Sequence, residues 1–180
     1  MSRIIAFCGP PLSGKSTLAA LHGQNAGAPV LEMDTIRQRL MPDSQQSEHD
    51  RNLAYACMHY TAEQLARAGI KEIIVVATYT RPALRAALVD AARRCEAQLS
   101  ILQFRVSPDV AAARFAGRPT GHAAIDLTVE SVRAQAAGYP YYDAAPIFDT
   151  TDAGITETLS EISTAIKPSQ SLDRWIDQIS

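Results

Sequence analysis

Short apolar segments alternate along the chain with longer stretches of helical periodicity. Two of these segments, Arg3 to Cys8 and Lys71 to Ala77, are nearly continuous, which is typical of strands covered by helices on both faces. Weaker strand candidates follow at Pro29 to Met33, Leu99 to Val106 and Ile147 to Phe148. The alternation predicts an α/β domain built on a five-stranded parallel sheet.

Helices are predicted between these strands from apolar spacing, caps and helix-ending residues. After the helix that follows the first strand, they cover Thr35 to Leu40, Arg51 to Ala68, Pro82 to Cys95, Pro108 to Gly117, Thr128 to Gly138 and Ile155 to Ile166. The segments Met41 to Asp50 and Arg118 to Leu127 are predicted to be loops. Near the end, Leu172, Trp175 and Ile176 share one helical face, so this helix packs back on the domain or docks to a partner.

Composition narrows the class of protein. The 180 residues, 47% of them hydrophobic and 20% charged, fit one globular domain. A net charge of −2 gives no general attraction for nucleic acid or for a membrane surface. The three cysteines are far apart, so neither a zinc site nor a disulfide is predicted. No apolar run is long enough for a signal peptide or a membrane helix, and we expect a cytoplasmic protein.

The first predicted strand is followed by a phosphate-binding motif. Gly9 to Ser16 matches G-x-x-x-x-G-K-[ST] between a strand and a helix, the context that this motif requires. In such a loop the lysine, here Lys15, reaches the β- and γ-phosphates, and the Ser16 hydroxyl is offered to Mg²⁺. The predicted nucleotide-binding residues are Gly9, Pro11, Leu12, Ser13, Gly14, Lys15, Ser16 and Thr17.

An acid and an arginine follow the second predicted strand. Asp34 is expected at the carboxyl end of this strand, at the cap of the next helix, with Arg37 on the same side one turn later. Both side chains can then point into the cleft beside the phosphates, where a carboxylate accepts a proton and a guanidinium holds an anionic group. The alternative is a helix cap with a surface salt bridge, and the spacing alone leaves both open.

Four segments together resemble a known family: Gly9 to Thr17, Leu31 to Arg37, Val75 to Thr78, and Arg114 to Arg118. They are similar to P-loop kinase-like ATPases, which include phage-type polynucleotide 5′-hydroxyl kinases and, more distantly, zeta toxins. The resemblance covers roughly residues 1 to 150. It implies a P-loop NTPase three-layer α/β/α sandwich of strand order 2-3-1-4-5, within a domain of residues 1–167. It also implies a helical lid at about 108–138, with ATP and Mg²⁺ as the donor.

The resemblance also implies roles for single residues. Asp34 matches the general base that activates an acceptor hydroxyl, and Arg37 matches the arginine that holds a phosphate or another polar group of the acceptor. Arg114 and Arg118 match lid arginines that neutralise charge on the transferred phosphoryl group. One position departs from the family pattern, because Val76 stands where an aspartate often supports the magnesium ion.

Several functions remain open at this point. The leading hypothesis is a kinase for a hydroxyl group of a small molecule, with Arg81 and Arg85 as further candidates on the acceptor side. The net charge of −2 makes a polynucleotide 5′-hydroxyl end the less favoured acceptor. An activated sugar, the acceptor of toxin-like enzymes, would require a difference in Met41 to Asp50. The absence of an acid at Val76 would suit a nucleotide-binding regulator or a weak ATPase. The sequence does not predict the oligomeric state.

Overall fold

A five-stranded sheet forms the centre of the protein. The computed structural model describes residues 1–44, 47–117, 127–169 and 172–177. All strands are parallel, in the order β2-β3-β1-β4-β5, as predicted. The strands are β1 (Arg3–Cys8), β2 (Val30–Glu32), β3 (Glu72–Ala77), β4 (Gln98–Arg105) and β5 (Ile147–Asp149).

Helices cover both faces of the sheet. α1 packs with α7 on one face, whereas α3, α4 and α8 pack together on the other. The helices are α1 (Lys15–Ala26), α2 (Met33–Leu40), α3 (Glu48–Arg67), α4 (Pro82–Arg94), α5 (Pro108–Ala116), α6 (Val129–Ala137), α7 (Ile155–Ala165) and α8 (Leu172–Asp177). Among the described residues, no helix is both long and apolar enough to cross a membrane.

The central strands supply the two main parts of the core. Successive side chains of a strand point to opposite faces, so Ile4 packs toward α3 and α4 while Ile5 packs toward α1 and α7. The neighbouring strand repeats this division in register, with Ile73 opposite Ile4 and Ile74 opposite Ile5. These four side chains are fully buried. Burial on both faces explains why β1 and β3 are nearly continuous apolar runs.

Two predicted helix starts are wrong by a few residues. α2 begins at Met33 directly after β2, so Asp34 lies in the first turn and Glu32 takes the cap position. α3 begins at Glu48 rather than at residue 51, because the Ser47 hydroxyl accepts a hydrogen bond from the Asp50 backbone N–H at 3.1 Å. The predicted loop of residues 41–50 is therefore shorter, and its last residues form the first turn of α3.

The buried face of α3 also differs from the expected one. Leu53 and Tyr60, which belong to the apolar spacing that predicted this helix, are exposed by 43% and 64%. Ala54, Met58 and Ala62 occupy the core-facing positions instead. Tyr55 is buried on the same face, so the core-facing side of α3 combines small alanines with two large side chains.

α5 and α6 form a separate helical pair beside the P-loop. Val106, Ala111 and Val132 make a third, smaller apolar cluster between them. Thr128 caps α6, as predicted, and exchanges hydrogen bonds with Ser131 in a capping box. This pair occupies the range predicted as a lid, although the loop that connects the two helices, residues 118–126, lies outside the described residues.

The segment before α8 pairs with the first half of β4 through Ser169. The Ser169 backbone N–H donates to the Leu99 carbonyl at 2.8 Å, and the Ser169 hydroxyl accepts from Ile101 N–H at 2.8 Å. α8 then packs on α4 and buries Trp175, whose ring centre lies 5.7 Å from that of Tyr79. Trp175 on α8 thus contacts the loop that follows β3.

Candidate active site

A cleft of about 940 Å³ opens at the carboxyl ends of the strands. This is the edge of an open α/β sheet where ligands bind. The P-loop, the β2–α2 junction, the first turns of α3 and the loops after β3 and β5 form its walls. The charged and hydroxyl side chains that line it are Lys15, Ser16, Thr17, Glu32, Asp34, Thr35, Glu48, Arg51, Tyr55, Thr78, Thr80, Arg81, Arg114, Thr150 and Thr158.

Most of the predicted nucleotide-binding residues line this cleft: Pro11, Leu12, Gly14, Lys15, Ser16 and Thr17. Gly9 and Ser13 are buried beneath the loop. A Cβ on Gly9 would lie 2.5 Å from the Phe104 carbonyl oxygen, so the close approach of the loop to β4 requires glycine. Gly14 has a φ of 77° at the start of α1, in the left-handed region that favours glycine.

The Lys15 ammonium group crosses the P-loop. It donates a hydrogen bond to the Pro10 carbonyl oxygen at 3.1 Å. Its positive charge therefore lies over the turn whose backbone N–H groups and helix start are suited to bind phosphate. The contact of Lys15 with the β- and γ-phosphates stays a prediction.

Glu32 is a site residue that the sequence analysis missed. The Ser16 hydroxyl donates a hydrogen bond to Glu32 Oε1, and the Thr35 hydroxyl donates to Glu32 Oε2 at 3.0 Å. Glu32 lies directly opposite Val76 in the register of β2 and β3. The carboxylate that is missing at Val76 is thus present on the neighbouring strand, beside the P-loop serine.

This pair of oxygen groups fits a magnesium ion. Mg²⁺ prefers oxygen ligands, and in phosphate sites it binds to one or two protein groups, the phosphates and water. Ser16 and Glu32 offer a hydroxyl and a carboxylate that already contact each other. A charged residue at the carboxyl end of a short apolar strand is the signal that could have identified Glu32.

Asp34 and Arg37 have different environments. Asp34 lines the cleft and its side chain is 47% exposed, so its carboxylate can reach a substrate. Arg37, in contrast, is buried to 3% exposure and does not line the cleft, with Nε 3.9 Å from Asp34 Oδ1. The prediction that both side chains point into the cleft is therefore wrong for Arg37, because α2 packs on α3 and turns this position toward the interior.

Arg114 joins the P-loop to the loop after β5. Its guanidinium donates to the Leu12 carbonyl at 3.0 Å and to the Thr150 carbonyl at 2.5 Å. The Thr150 hydroxyl in turn donates to the Ser13 carbonyl at 2.9 Å. Arg114 thus lies in the cleft wall next to the phosphate loop, and its effect on a transferred phosphoryl group stays a prediction. Arg118, the second predicted lid arginine, lies outside the described residues.

The loop after β3 forms the opposite wall and is held from behind. Tyr79 adopts a left-handed conformation with φ of 53°, and its side chain is 1% exposed. Buried Arg85 donates to the Tyr79 carbonyl at 2.8 Å and to the Thr80 carbonyl at 2.9 Å. Arg85 therefore shapes this wall without facing the cleft, whereas Arg81, the other predicted acceptor-side arginine, lines it.

Two tyrosines fix the start of the same loop. The Tyr139 hydroxyl donates to the Thr78 carbonyl at 2.5 Å, and the Tyr55 hydroxyl accepts from the Tyr79 backbone N–H at 3.3 Å. Burial raises the pKa of Tyr55 and, strongly, that of Tyr139, so both hydroxyls stay protonated near neutral pH. Tyr139 is thus buried within this wall and fixes the Thr78 carbonyl by its hydrogen bond.

The sheet order and the glycine-rich phosphate loop between β1 and α1 define a P-loop nucleotide-binding fold. A family model described as an AAA domain matches residues 4–141, more than half of the chain, and the protein belongs to this family. The match and the fold confirm the resemblance to P-loop kinase-like ATPases and the three-layer α/β/α architecture.

Solved structures of the same fold are distant in sequence. A candidate kinase of Chloroflexus aurantiacus J-10-fl superposes with a TM-score of 0.73 at 17% identity, covering 91% of this chain and 94% of that chain. The APS kinase of Mycobacterium tuberculosis, in complex with AMPPNP and APS, has a TM-score of 0.68 at 20% identity, covering 91% and 96%. A gluconokinase of Sinorhizobium meliloti 1021 has a TM-score of 0.65 at 20% identity, covering 97% and 94%. No curated protein matches the chain in sequence.

Proposed function

We propose that the protein is an ATP-dependent kinase that transfers the γ-phosphoryl group to a hydroxyl group of a small molecule. The observation that carries this proposal is that the P-loop lysine and Asp34 line the same cleft, whose volume is about 940 Å³. A hydrolase needs only water beside the phosphates, whereas a kinase needs room for a second substrate and a base for its hydroxyl proton. Solved structures with the same fold include an APS kinase and a gluconokinase, which supports a small acceptor.

The charged groups around the P-loop have separate parts in the proposed reaction. Lys15 stabilises the β- and γ-phosphates of ATP, and the backbone N–H groups of the P-loop bind the phosphates around it. Asp34 accepts the proton of the acceptor hydroxyl as the hydroxyl oxygen forms the new bond to the γ-phosphorus, while the bond from that phosphorus to the ADP oxygen breaks and ADP leaves. Ser16 and Glu32 would hold Mg²⁺, which would supply positive charge to offset the negative charge of the phosphates. Arg114 and Arg118 are proposed to neutralise the charge that develops on the transferred group.

The two alternatives have less support. A polynucleotide acceptor is disfavoured by the net charge of −2, although it would use the same donor site. The argument for a regulator or weak ATPase came from Val76, and the Glu32 carboxylate opposite it weakens that argument. The three cysteines are all free, which suits the reducing cytoplasm in which we propose the protein acts.

Phosphorus NMR of ATP and Mg²⁺ with a mixed acceptor panel tests the proposal. The panel contains sugars, sugar acids, nucleosides, antibiotics and 5′-hydroxyl oligonucleotides, and Lys15→Ala is the matched control that lacks the P-loop charge. We expect a new phosphomonoester signal from one small-molecule class, absent in the control. Transfer only to oligonucleotide ends would favour the polynucleotide kinase. Tight ATP binding without any transfer would favour the regulator.

A further inference from the structure

The acceptor end of the cleft is built by the start of α3 and the loop after β3. Glu48, Arg51 and Tyr55 follow each other at helical spacing, so they share the face of α3 that lines the cleft. Across from them, Thr78, Thr80 and Arg81 line it from the loop. The Tyr55 hydroxyl lies 3.3 Å from the Thr78 hydroxyl and joins the two sides. These residues therefore form one end of the cleft that the P-loop also lines.

Arg81 already holds two oxygen atoms of the chain, one from Glu48, which lines the cleft, and one from Asn52, which does not. Its Nη1 lies 2.5 Å from Glu48 Oε1, and its Nη2 donates to Asn52 Oδ1 at 2.6 Å. Two parallel hydrogen bonds to a pair of oxygens are the arrangement in which a guanidinium binds a carboxylate or a phosphate group. The Glu48 oxygen thus occupies the position on the cleft side of Arg81 that an anionic group would take.

This internal pairing is easily replaced. The Glu48 side chain is 72% exposed and that of Arg81 is 38% exposed, so a displaced Glu48 carboxylate returns to water at little cost. An anionic group of a substrate makes bonds of the same charge-assisted kind, whereas a neutral hydroxyl makes weaker ones and does not displace a carboxylate. This end of the cleft therefore discriminates between charged and neutral acceptors.

Charge in the surroundings points the same way. Arg51 lines this end one turn before Tyr55, and Arg37 is buried next to Asp34. Three guanidinium groups are thus placed at or behind this end of the cleft, against the carboxylates of Asp34 and Glu48. When Glu48 leaves Arg81, the charge around the Arg81 guanidinium becomes more positive, and an incoming anion compensates it.

We propose that the acceptor is a hydroxyl compound that carries a carboxylate or phosphate group, and that Arg81, assisted by Arg51, binds this group in place of Glu48. This inference rests on the proposed kinase function, because it assigns the acceptor subsite of that reaction. It predicts opposite effects for the two members of the pair. Removing Arg81 weakens binding of an anionic acceptor, and neutralising Glu48 strengthens it because the internal competitor is lost.

Binding of matched probes to the protein saturated with ADP and Mg²⁺ tests the inference without turnover. The probes are sulfate and two pairs, glucose with glucose 6-phosphate and sorbitol with gluconate, measured by isothermal titration calorimetry. We expect the anionic member of a pair to bind at least tenfold more tightly than the neutral one. Arg81→Gln should weaken this binding at least tenfold, and Glu48→Gln should strengthen it several-fold. Arg93→Gln, on an exposed arginine at the far end of α4, is the control that leaves it unchanged.

The outcomes separate this inference from the proposed function. Equal binding of neutral and anionic probes, no binding of any anion, or unchanged binding in Arg81→Gln overturns the anionic subsite. Phosphorus NMR with ATP is then run on the same probes. Transfer only to neutral members would overturn the inference and keep the kinase. Anion binding that depends on Arg81, with no transfer to any hydroxyl compound in the wider panel, would overturn the kinase and keep the anion site.

Discussion

Replacing Arg85 by methionine should destabilise the protein strongly, because this buried guanidinium ties three carbonyl groups together. It donates to the carbonyl oxygens of Tyr79 at 2.8 Å and Thr80 at 2.9 Å, and to that of Trp175 on α8 at 2.9 Å. A hydrogen bond to a charged group contributes about 1.5–3 kcal/mol. Methionine loses these hydrogen bonds but also avoids the cost of burying a charge, which offsets part of the loss. The expected net decrease in unfolding free energy is therefore about 3–5 kcal/mol. For a domain of this size that lowers the Tm by roughly 6 to 20 °C.

Urea unfolding followed by circular dichroism and by tryptophan fluorescence measures this loss. Trp175 is the single tryptophan of the chain and packs on Tyr79, so its emission reports directly on the contact between α8 and the loop after β3. Arg93→Met is the matched control, because Arg93 lies on the same helix and contacts α8 through an exposed ion pair with Asp173 at 3.0 Å. Such a pair contributes about 1 kcal/mol or less. Equal stabilities of the two variants would refute the structural role of Arg85.

Two further predictions follow from buried or paired groups. Burial, with a smaller effect of the positive Arg94, lowers the pKa of His59 to about 4. Below pH 6.5 the unfolded chain therefore binds a proton at His59 that the folded chain excludes. This difference should lower the free energy of unfolding by about 2 kcal/mol at pH 5 relative to pH 7.5. If chemical denaturation gives the same pH dependence of the unfolding free energy for the parent and for His59→Gln, this prediction is wrong. Glu32→Gln should reduce at least tenfold the gain in ADP affinity that Mg²⁺ provides, measured by calorimetry with Mg²⁺ and with EDTA, and an unchanged gain would exclude Glu32 from the metal site.

The features that the sequence predicts well are local. The P-loop is recognisable because its glycines, lysine and serine lie within eight consecutive positions between a strand and a helix. The strands β1 and β3 stand out because burial on both faces leaves only their first residues, Arg3 and Glu72, polar. The strand order came from the resemblance to a family, since apolar patterns do not say which strands are neighbours.

The features that the sequence missed depend on contacts between distant segments. Glu32 reaches Ser16 only because β2 lies beside β3 in the sheet. Arg85 is buried because carbonyl groups from its own loop and from α8 surround it, and nothing in its local sequence announces them. The early start of α3 could have been predicted, because Ser47 followed by Asp50 three residues later is a capping pattern.

Asp34 is proposed to serve as the base for transfer to a hydroxyl acceptor, in a cleft that also binds ATP. The most direct measurement compares the parent with Asp34→Asn, using calorimetry for ATP-Mg²⁺ binding and phosphorus NMR for the phosphomonoester product. Asp90→Asn, which changes an exposed carboxylate on α4, is the control. We expect Asp34→Asn to bind ATP within about threefold of the parent and to lose at least about a hundredfold in transfer rate, as expected for loss of a general base. Transfer by Asp34→Asn at the parent rate would contradict the account.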